Sequence, residues 1–455
     1  MNNSVRLVLS LFVLAWFPPA WSGEANNKIF EECIHETIFD QSVCTVQANR
    51  NAKVGVILIH GLDGSTEDWR NIIPVLSSDF HVVAFDLPGF GKSDKGNQIY
   101  SPTRYAKLVQ FLANHYFKDK PYDVIGHSMG GAIALRFAST RPLHFNRLVL
   151  IDAAGILHAQ VITKFQAGSM IEKASGFEQT RGFTERFSRK LLELAERMPI
   201  SPEAIVHNAH GRGLVLQGDP SAIAALNLAD EDFSEAIASV TAPTLIIWGD
   251  KDPVAPLRTG MVLAIRMPKA YMEIVYDSGH VPMEDQPNKV NSLISKHLLA
   301  SSPALDALFP LPRPTSAFDS QRKAICSGES NKIYEGDYKS IDLRQCSNIK
   351  IRNARIGHLA ATDSRLTITD TDILGDQEGL HAEDSDITVT NGFISGNITI
   401  NAARSRLDLA GVRLNGVKAS VNAVDSKMVF SVSHLSSPLA SGYFHTFKNI
   451  NSEAF

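Results

Sequence analysis

The sequence predicts an α/β doubly wound sheet carrying a helical insertion, followed by an all-β region of stacked parallel coils. Three observations carry this. Between Val54 and His297, short apolar runs alternate with longer mixed segments, as in a parallel sheet flanked by helices. From about residue 155 to 240 the strand pattern gives way to helical periodicity. After a proline-rich stretch, the remaining chain repeats itself about every 20 residues.

At 455 residues the chain is too long for one core, so two or three units are expected. Apolar residues make up 44% and charged residues 20%, as in ordinary folded proteins. A net charge of −4 supplies no basic face for nucleic acid.

Residues 1–22 read as a secretory signal. Arg6 gives a positive start, Leu7 to Phe17 an apolar run ended by Pro18-Pro19, and Ala20-Trp21-Ser22 a cleavage site, which puts the mature start at Gly23. The run is short for a bilayer span of about 20 residues, so an uncleaved anchor is the second reading. Export, to a periplasm or beyond the cell, is the expectation. Four cysteines allow three pairings. Their spacing in two close pairs favours Cys33–Cys44 and Cys326–Cys346 in an oxidising compartment. They form no tight cluster with His, so no metal site is expected, and no cofactor.

The candidate strands are 54–60, 81–86, 122–126, 147–152, 243–250 and 270–277, each ending in residues such as His, Asp or Gly. In doubly wound sheets these carboxyl ends are where ligands sit. In the insertion, ERFSRKLLELAERM (185–198) places Phe187, Leu191, Leu194 and Met198 at helical spacing, with Phe183 one turn earlier. A packed helical insertion is the plain reading, and a lid over the strand ends the sharper one. Pro303, Pro310, Pro312 and Pro314 then mark a linker over 301–321, expected to be extended. The catalytic unit is thus expected over 23–300 and the repeat unit over 322–455.

The repeats align on Ser364, Ser385, Ser405 and Ser426, in steps of 21, 20 and 21. Ala361, Ala382, Ala402 and Ala423 recur three places before. Leu366, Ile387, Leu407 and Met428 recur two after, and Ile373, Ile394, Leu414 and Leu435 nine after. One such coil cannot bury its own apolar residues, so coils must stack. The Leu and Asn positions of leucine-rich repeats are missing. A right-handed parallel β-helix with Ser and Ala ladders at its corners fits instead, and the coils resemble those of polysaccharide-acting β-helix proteins. Asp370, Asp372, Asp376, Glu378, Glu383, Asp384 and Asp386 crowd one stretch. Solvated corners are the plain reading, Ca²⁺ or a saccharide the sharper one.

Gly126-His127-Ser128-Met129-Gly130 fits G-x-S-x-G, a weak pattern alone. Here a strand precedes it, small residues suited to a close-packed helix follow, and an acid and a His come later in order. Asp252 and His280 both fall at predicted strand ends. With HGLDGS (60–65), DLPGFGKSD (86–94), GHSMGG (126–131), GDKDPVAP (249–256) and GHVPMED (279–285), the chain resembles the α/β-hydrolase family, in its lidded esterase and lipase-like branch.

That resemblance implies Ser128 as nucleophile, His280 as general base and Asp252 as the acid that orients it, with Asp250 the rival. It implies Leu62 and Met129 as the oxyanion-hole donors. His60 and His127 read as structural, and Asp86 and Ser93 as supports of their loop. A small-molecule or lipid ester is the implied substrate. The same triad serves carbon–carbon bond hydrolases. A glycan- or surface-binding protein with a vestigial hydrolase unit is the reading from another class, in which the coils bind a glycan or a protein. Oligomeric state stays open.

Overall fold

The computed structural model describes residues 28–159, 161, 205–309 and 320–455. The expected signal segment, most of the expected lid including 183–198, and Pro310, Pro312 and Pro314 lie outside the described residues.

The first sheet has eight strands: β1 (Ile29–Glu36), β2 (Gln41–Ala48), β3 (Gly55–Ile59), β4 (His81–Phe85), β5 (Tyr122–His127), β6 (Phe145–Ile151), β7 (Thr244–Gly249) and β8 (Ala270–Val275). They lie in the order β1-β2-β4-β3-β5-β6-β7-β8. From β4 to β8 all pairings are parallel. These six strands are the six apolar runs, and β3 to β5 are buried on both faces because helices cover both. The hairpin β1–β2 is an addition the apolar runs do not announce. It pairs antiparallel with β4 through β2 and joins Cys33 to Cys44, which face each other in register.

Seven helices matter to the site: α1 (Pro102–Tyr116), α2 (Met129–Ser139), α3 (Ala209–Val215), α4 (Pro220–Asp230), α5 (Ser234–Ser239), α6 (Leu257–Arg266) and α7 (Pro287–Leu299). Helix α1 starts where Ser101 accepts the Arg104 amide and Pro102 fills the first turn. One apolar core lies under α1 and α2, around Leu108, Leu135 and Trp248. A second lies on the other face of the sheet, around Trp69, Ile125 and Ile294. The segment expected to be extended from 301 opens instead with a short helix, Ser302–Asp306. Pro303 occupies its first turn, where a missing N–H costs nothing. Among the described residues, no helix is long and apolar enough to cross a membrane.

The C-terminal region is strand-rich: β9 (Lys323–Ser327), β10 (Ile333–Arg344), β11 (Ile349–Thr362), β12 (Arg365–Leu374), β13 (Glu378–Glu383), β14 (Asp386–Ala403), β15 (Arg406–Ala410), β16 (Arg413–Ser436) and β17 (Ser441–Ala454). All pairings are parallel except β16 with β17. The register joins the repeat positions directly: Leu366 to Ile387 to Leu407 to Met428, and Ala361 to Ala382 to Ala402 to Ala423. These residues fill a core of their own.

The repeated serines form a ladder. Ser364, Ser385 and Ser405 each donate their amide to the hydroxyl of the next serine, at 3.1, 3.0 and 3.1 Å. Each hydroxyl in turn donates to the carbonyl two residues before it. The residue before each serine has positive φ: Asp363, Asp384, Arg404 and Asp425. Asp tolerates that conformation and Arg404 is held in it by ion pairs to Glu383 and Asp384. Glu383 and Asp384 of the acidic crowd are therefore corner residues. Cys346 takes the serine place one repeat earlier, donating its amide to Ser364 Oγ at 3.0 Å and bonding to Cys326.

Candidate active site

Ser128 sits between β5 and α2 with φ 53° and ψ −120°, a strained conformation for a residue with a side chain. Two glycines permit it. A Cβ on Gly126 would meet the Gly130 carbonyl oxygen at 2.2 Å, and one on Gly130 would meet that of Ile59 at 2.1 Å. The turn is held by the Ser128 amide donating to Ile151 and by the Ala154 amide donating to the Ser128 carbonyl. This is the strand–turn–helix elbow that the G-x-S-x-G pattern requires.

Asp252 follows β7 and His280 follows β8. His280 Nε2 lies 2.8 Å from Ser128 Oγ, and its Nδ1 lies 2.8 Å from Asp252 Oδ2. The other Asp252 oxygen accepts the amides of Val254 at 2.7 Å and Ala255 at 3.1 Å, which fixes the carboxylate plane. All three side chains are buried. A carboxylate on Nδ1 keeps the proton there, leaving Nε2 to accept from the serine hydroxyl. Asp250 is elsewhere engaged: its Oδ1 accepts the Ser278 amide at 3.2 Å, which steadies the loop bearing His280.

Leu62 and Met129 both lie buried beside the elbow. Met129 is the first residue of α2, where an amide has no partner within the helix. Gly61, next to Leu62, packs against Ser128: a Cβ there would lie 3.0 Å from that of Ser128. His60 shapes this turn. Its Nε2 accepts the Leu87 amide at 2.9 Å, so Nδ1 carries the proton and donates to the Gly61 carbonyl at 2.7 Å. Burial holds its pKa below the usual value. Asp86 and Ser93 serve their loop: Asp86 accepts the amides of Thr66 and Lys92, and Ser93 Oγ donates to the Asp86 carbonyl.

Two further residues join the site: His127, read from the motif as structural, and Asp152. His127 Nε2 donates to the His280 carbonyl, and burial lowers its pKa to about 3, so the ring is neutral. Asp152, which closes the apolar run RLVLID, is wholly buried and accepts the Gly249 amide at 2.9 Å. Burial first, then the charge of neighbouring Asp252, push its carboxyl well above the ordinary range. An acid at the end of a buried strand was the available signal. Beside the triad lies a small apolar pocket whose walls include Ala154, Leu157, Ala225, Leu228, Ala255 and Thr259.

The sequence profile of the alpha/beta hydrolase fold matches residues 55–287, just over half of the chain. The chain belongs to the alpha/beta hydrolase fold family. An uncharacterised protein of Mycobacterium tuberculosis (strain ATCC 25618 / H37Rv) is 28% identical to this hydrolase over 273 residues, 55% of this chain and 76% of its own. A monoacylglycerol lipase of Xenopus laevis is 28% identical over 273 residues, 56% of this chain and 78% of its own. Lipase 3 of Moraxella sp. (strain TA144) is 28% identical over 235 residues, 50% and 72% of the two chains. The hydrolase thus has lipases among its relatives.

Proposed function

We propose that this hydrolase cleaves carboxylic esters of small molecules or lipids through an acyl-enzyme formed on Ser128. The observation that carries the proposal is the unbroken relay Ser128–His280–Asp252, with both hydrogen bonds at 2.8 Å and the serine in a strained elbow. Ser128 Oγ attacks the ester carbonyl carbon while His280 Nε2 takes its proton. The amides of Leu62 and Met129 stabilise the oxyanion. The C–O bond breaks, and the alcohol leaves with the proton from His280. Water then attacks the acyl-serine, again losing its proton to His280, and the acid departs as Ser128 regains its hydrogen.

The small pocket whose lining residues Ala154 and Ala255 donate amides to Ser128 and Asp252 is apolar, which favours an apolar group next to the scissile bond. Lipases among the relatives point the same way. Turnover of p-nitrophenyl esters of increasing chain length by the wild type and by Ser128→Ala tests the reading. Turnover lost with the serine supports it, and turnover unchanged without it overturns it.

We also infer that the C-terminal strands wind as a right-handed parallel β-helix. The support is the parallel register between repeat positions 20 or 21 residues apart and the serine ladder at one corner. The two disulfides favour an oxidising, exported setting.

A further inference from the structure

The C-terminal strands grip one helix of the hydrolase unit. Arg258, in the first turn of α6, donates through Nη1 to Asp408 Oδ2 at 2.6 Å and through Nη2 to Asp408 Oδ1 at 3.2 Å. Nη2 also reaches the Val389 carbonyl at 3.1 Å. Both side chains are largely withdrawn from water, at 16% and 12% exposed. At the other end of α6, Arg266 Nε donates to the Gly411 carbonyl at 2.8 Å. Between them Asn391 Nδ2 donates to the Met261 carbonyl at 3.1 Å. Gly411, at φ +61°, lets the backbone approach so closely that a Cβ would lie 3.0 Å from Val262.

Helix α6 is the helix behind the catalytic acid. It begins at Leu257, two residues after Ala255, whose amide holds the Asp252 carboxylate. A second grip lies behind the nucleophile. The His158 amide donates to Ser431 Oγ at 2.9 Å, on the segment whose Ala154 amide holds the Ser128 carbonyl. Ala410, Val429 and Val432 complete the same apolar core as Met129, Ala153 and Val254. A module that merely travels with an enzyme on a linker needs neither a desolvated bidentate ion pair nor a shared core.

We propose that the C-terminal strands form a fixed wall of the catalytic unit, with Arg258 and Asp408 as positioning residues that hold Asp252 in place through α6. The proposal rests on the ester-hydrolase reading above. It makes the repeat region part of the chemistry rather than an accessory to it.

The test is made on the full chain. Arg258→Lys and Asp408→Asn break the bidentate geometry. Because an unpaired buried charge can unfold a protein, Arg258→Met/Asp408→Leu removes both charges and keeps apolar volume. Each variant is measured for melting temperature, kcat, KM, and the rate at which a fluorophosphonate probe labels Ser128. With the variants still folded at the assay temperature, kcat and labelling rate should fall on the order of tenfold, with KM nearly unchanged. Wild-type kcat and labelling in a folded variant with the pair broken overturn the wall, whatever the melting temperature does. A wild type that is labelled at Ser128 but turns over no ester overturns the ester reading instead, and the labelling rates still test the wall. A wild type that is not labelled overturns both.

Discussion

His127 Nε2 donates to the main-chain oxygen of His280 at 2.7 Å, so the residue before the nucleophile holds the backbone of the base. Replacing His127 by Ala leaves a buried carbonyl unpaired, at about 1–3 kcal/mol, and loosens the His280 ring. We expect kcat to fall on the order of tenfold with KM little changed. His127→Gln, which restores an N–H donor, should recover part of the loss. Equal kcat for His127→Ala and the wild type would refute the role.

The two acids of the GDKD turn separate sharply. Asp252→Asn removes the acceptor for His280 Nδ1 and permits the wrong tautomer. In the serine-protease template that change lowers kcat about 10⁴-fold, and a loss of that order is expected here. Asp250→Asn keeps an oxygen for the Ser278 amide, so its kcat should stay within about threefold of wild type, the modest cost of a retained neutral hydrogen bond. Comparable losses in the two variants would mean the acid has been assigned wrongly.

Burial and the neighbouring charge of Asp252 push the Asp152 carboxyl up, and its hydrogen bond comes from the Gly249 amide. Asp152→Asn preserves the acceptor for Gly249 and removes only the charge, so kcat/KM and its acidic limb should change little. Asp152→Ala removes that acceptor and should lower kcat/KM about tenfold. A pH profile of kcat/KM for the two variants decides the matter; a large loss in Asp152→Asn would show that the negative charge is needed.

Acid should destabilise the fold. Burial lowers His127 to about 3 and His81, His158 and His297 to about 4, against about 6.5 when unfolded. Their contribution is present above pH 6.5 and is lost as the pH falls toward 4. Asp123 acts oppositely: burial raises it to about 7, so its penalty grows as pH rises from about 3.8 to 7. Four imidazoles outweigh Asp123 and Asp152 together, and the melting temperature should drop between pH 7 and 5. Asp123→Asn should raise the melting temperature more at pH 8 than at pH 5. A melting temperature that climbs on acidification would contradict the balance.

Ser385 lies inside the ladder, where its hydroxyl accepts the Ser364 amide at 3.1 Å. Ser385→Ala orphans that buried amide and should cost about 1–3 kcal/mol. Calorimetry would show it as a lower melting temperature. Ester turnover at low temperature should hold, because the serine touches no part of the triad. An unchanged melting temperature would mean that water replaces the hydroxyl.

Much of this was legible in the sequence because the signals are local. The six buried strands are continuous apolar runs, and the elbow needs glycine at fixed places, which Gly126 and Gly130 supply. The coil register follows from repeated Leu, Ile and Ser. The hairpin β1–β2 was harder, since its partly buried residues alternate with polar ones and carry no run. The Arg258–Asp408 pair was out of reach. Its partners stand 150 residues apart, and an isolated Arg and an isolated Asp look like any solvated surface charges. Asp152 is intermediate: its position at a strand end was visible, but the upward push on its carboxyl depends on where Asp252 folds.

The antiparallel strand β17 lies along β16, with the Phe455 and Val421 amides donating to each other's carbonyls at 2.9 and 2.7 Å. A sheet of parallel strands otherwise ends in a row of open amides and carbonyls, which would template pairing with another molecule. The returning strand covers that row and becomes the edge in its place. Because the serines bond from one repeat to the next, growth behind this strand is quantised: the region can lengthen or shorten by whole repeats, while a one-residue insertion would turn its apolar side chains outward. Evolution can therefore adjust the reach of this surface in steps while the corners at Val389, Asp408 and Ser431, which face the hydrolase, stay where they are.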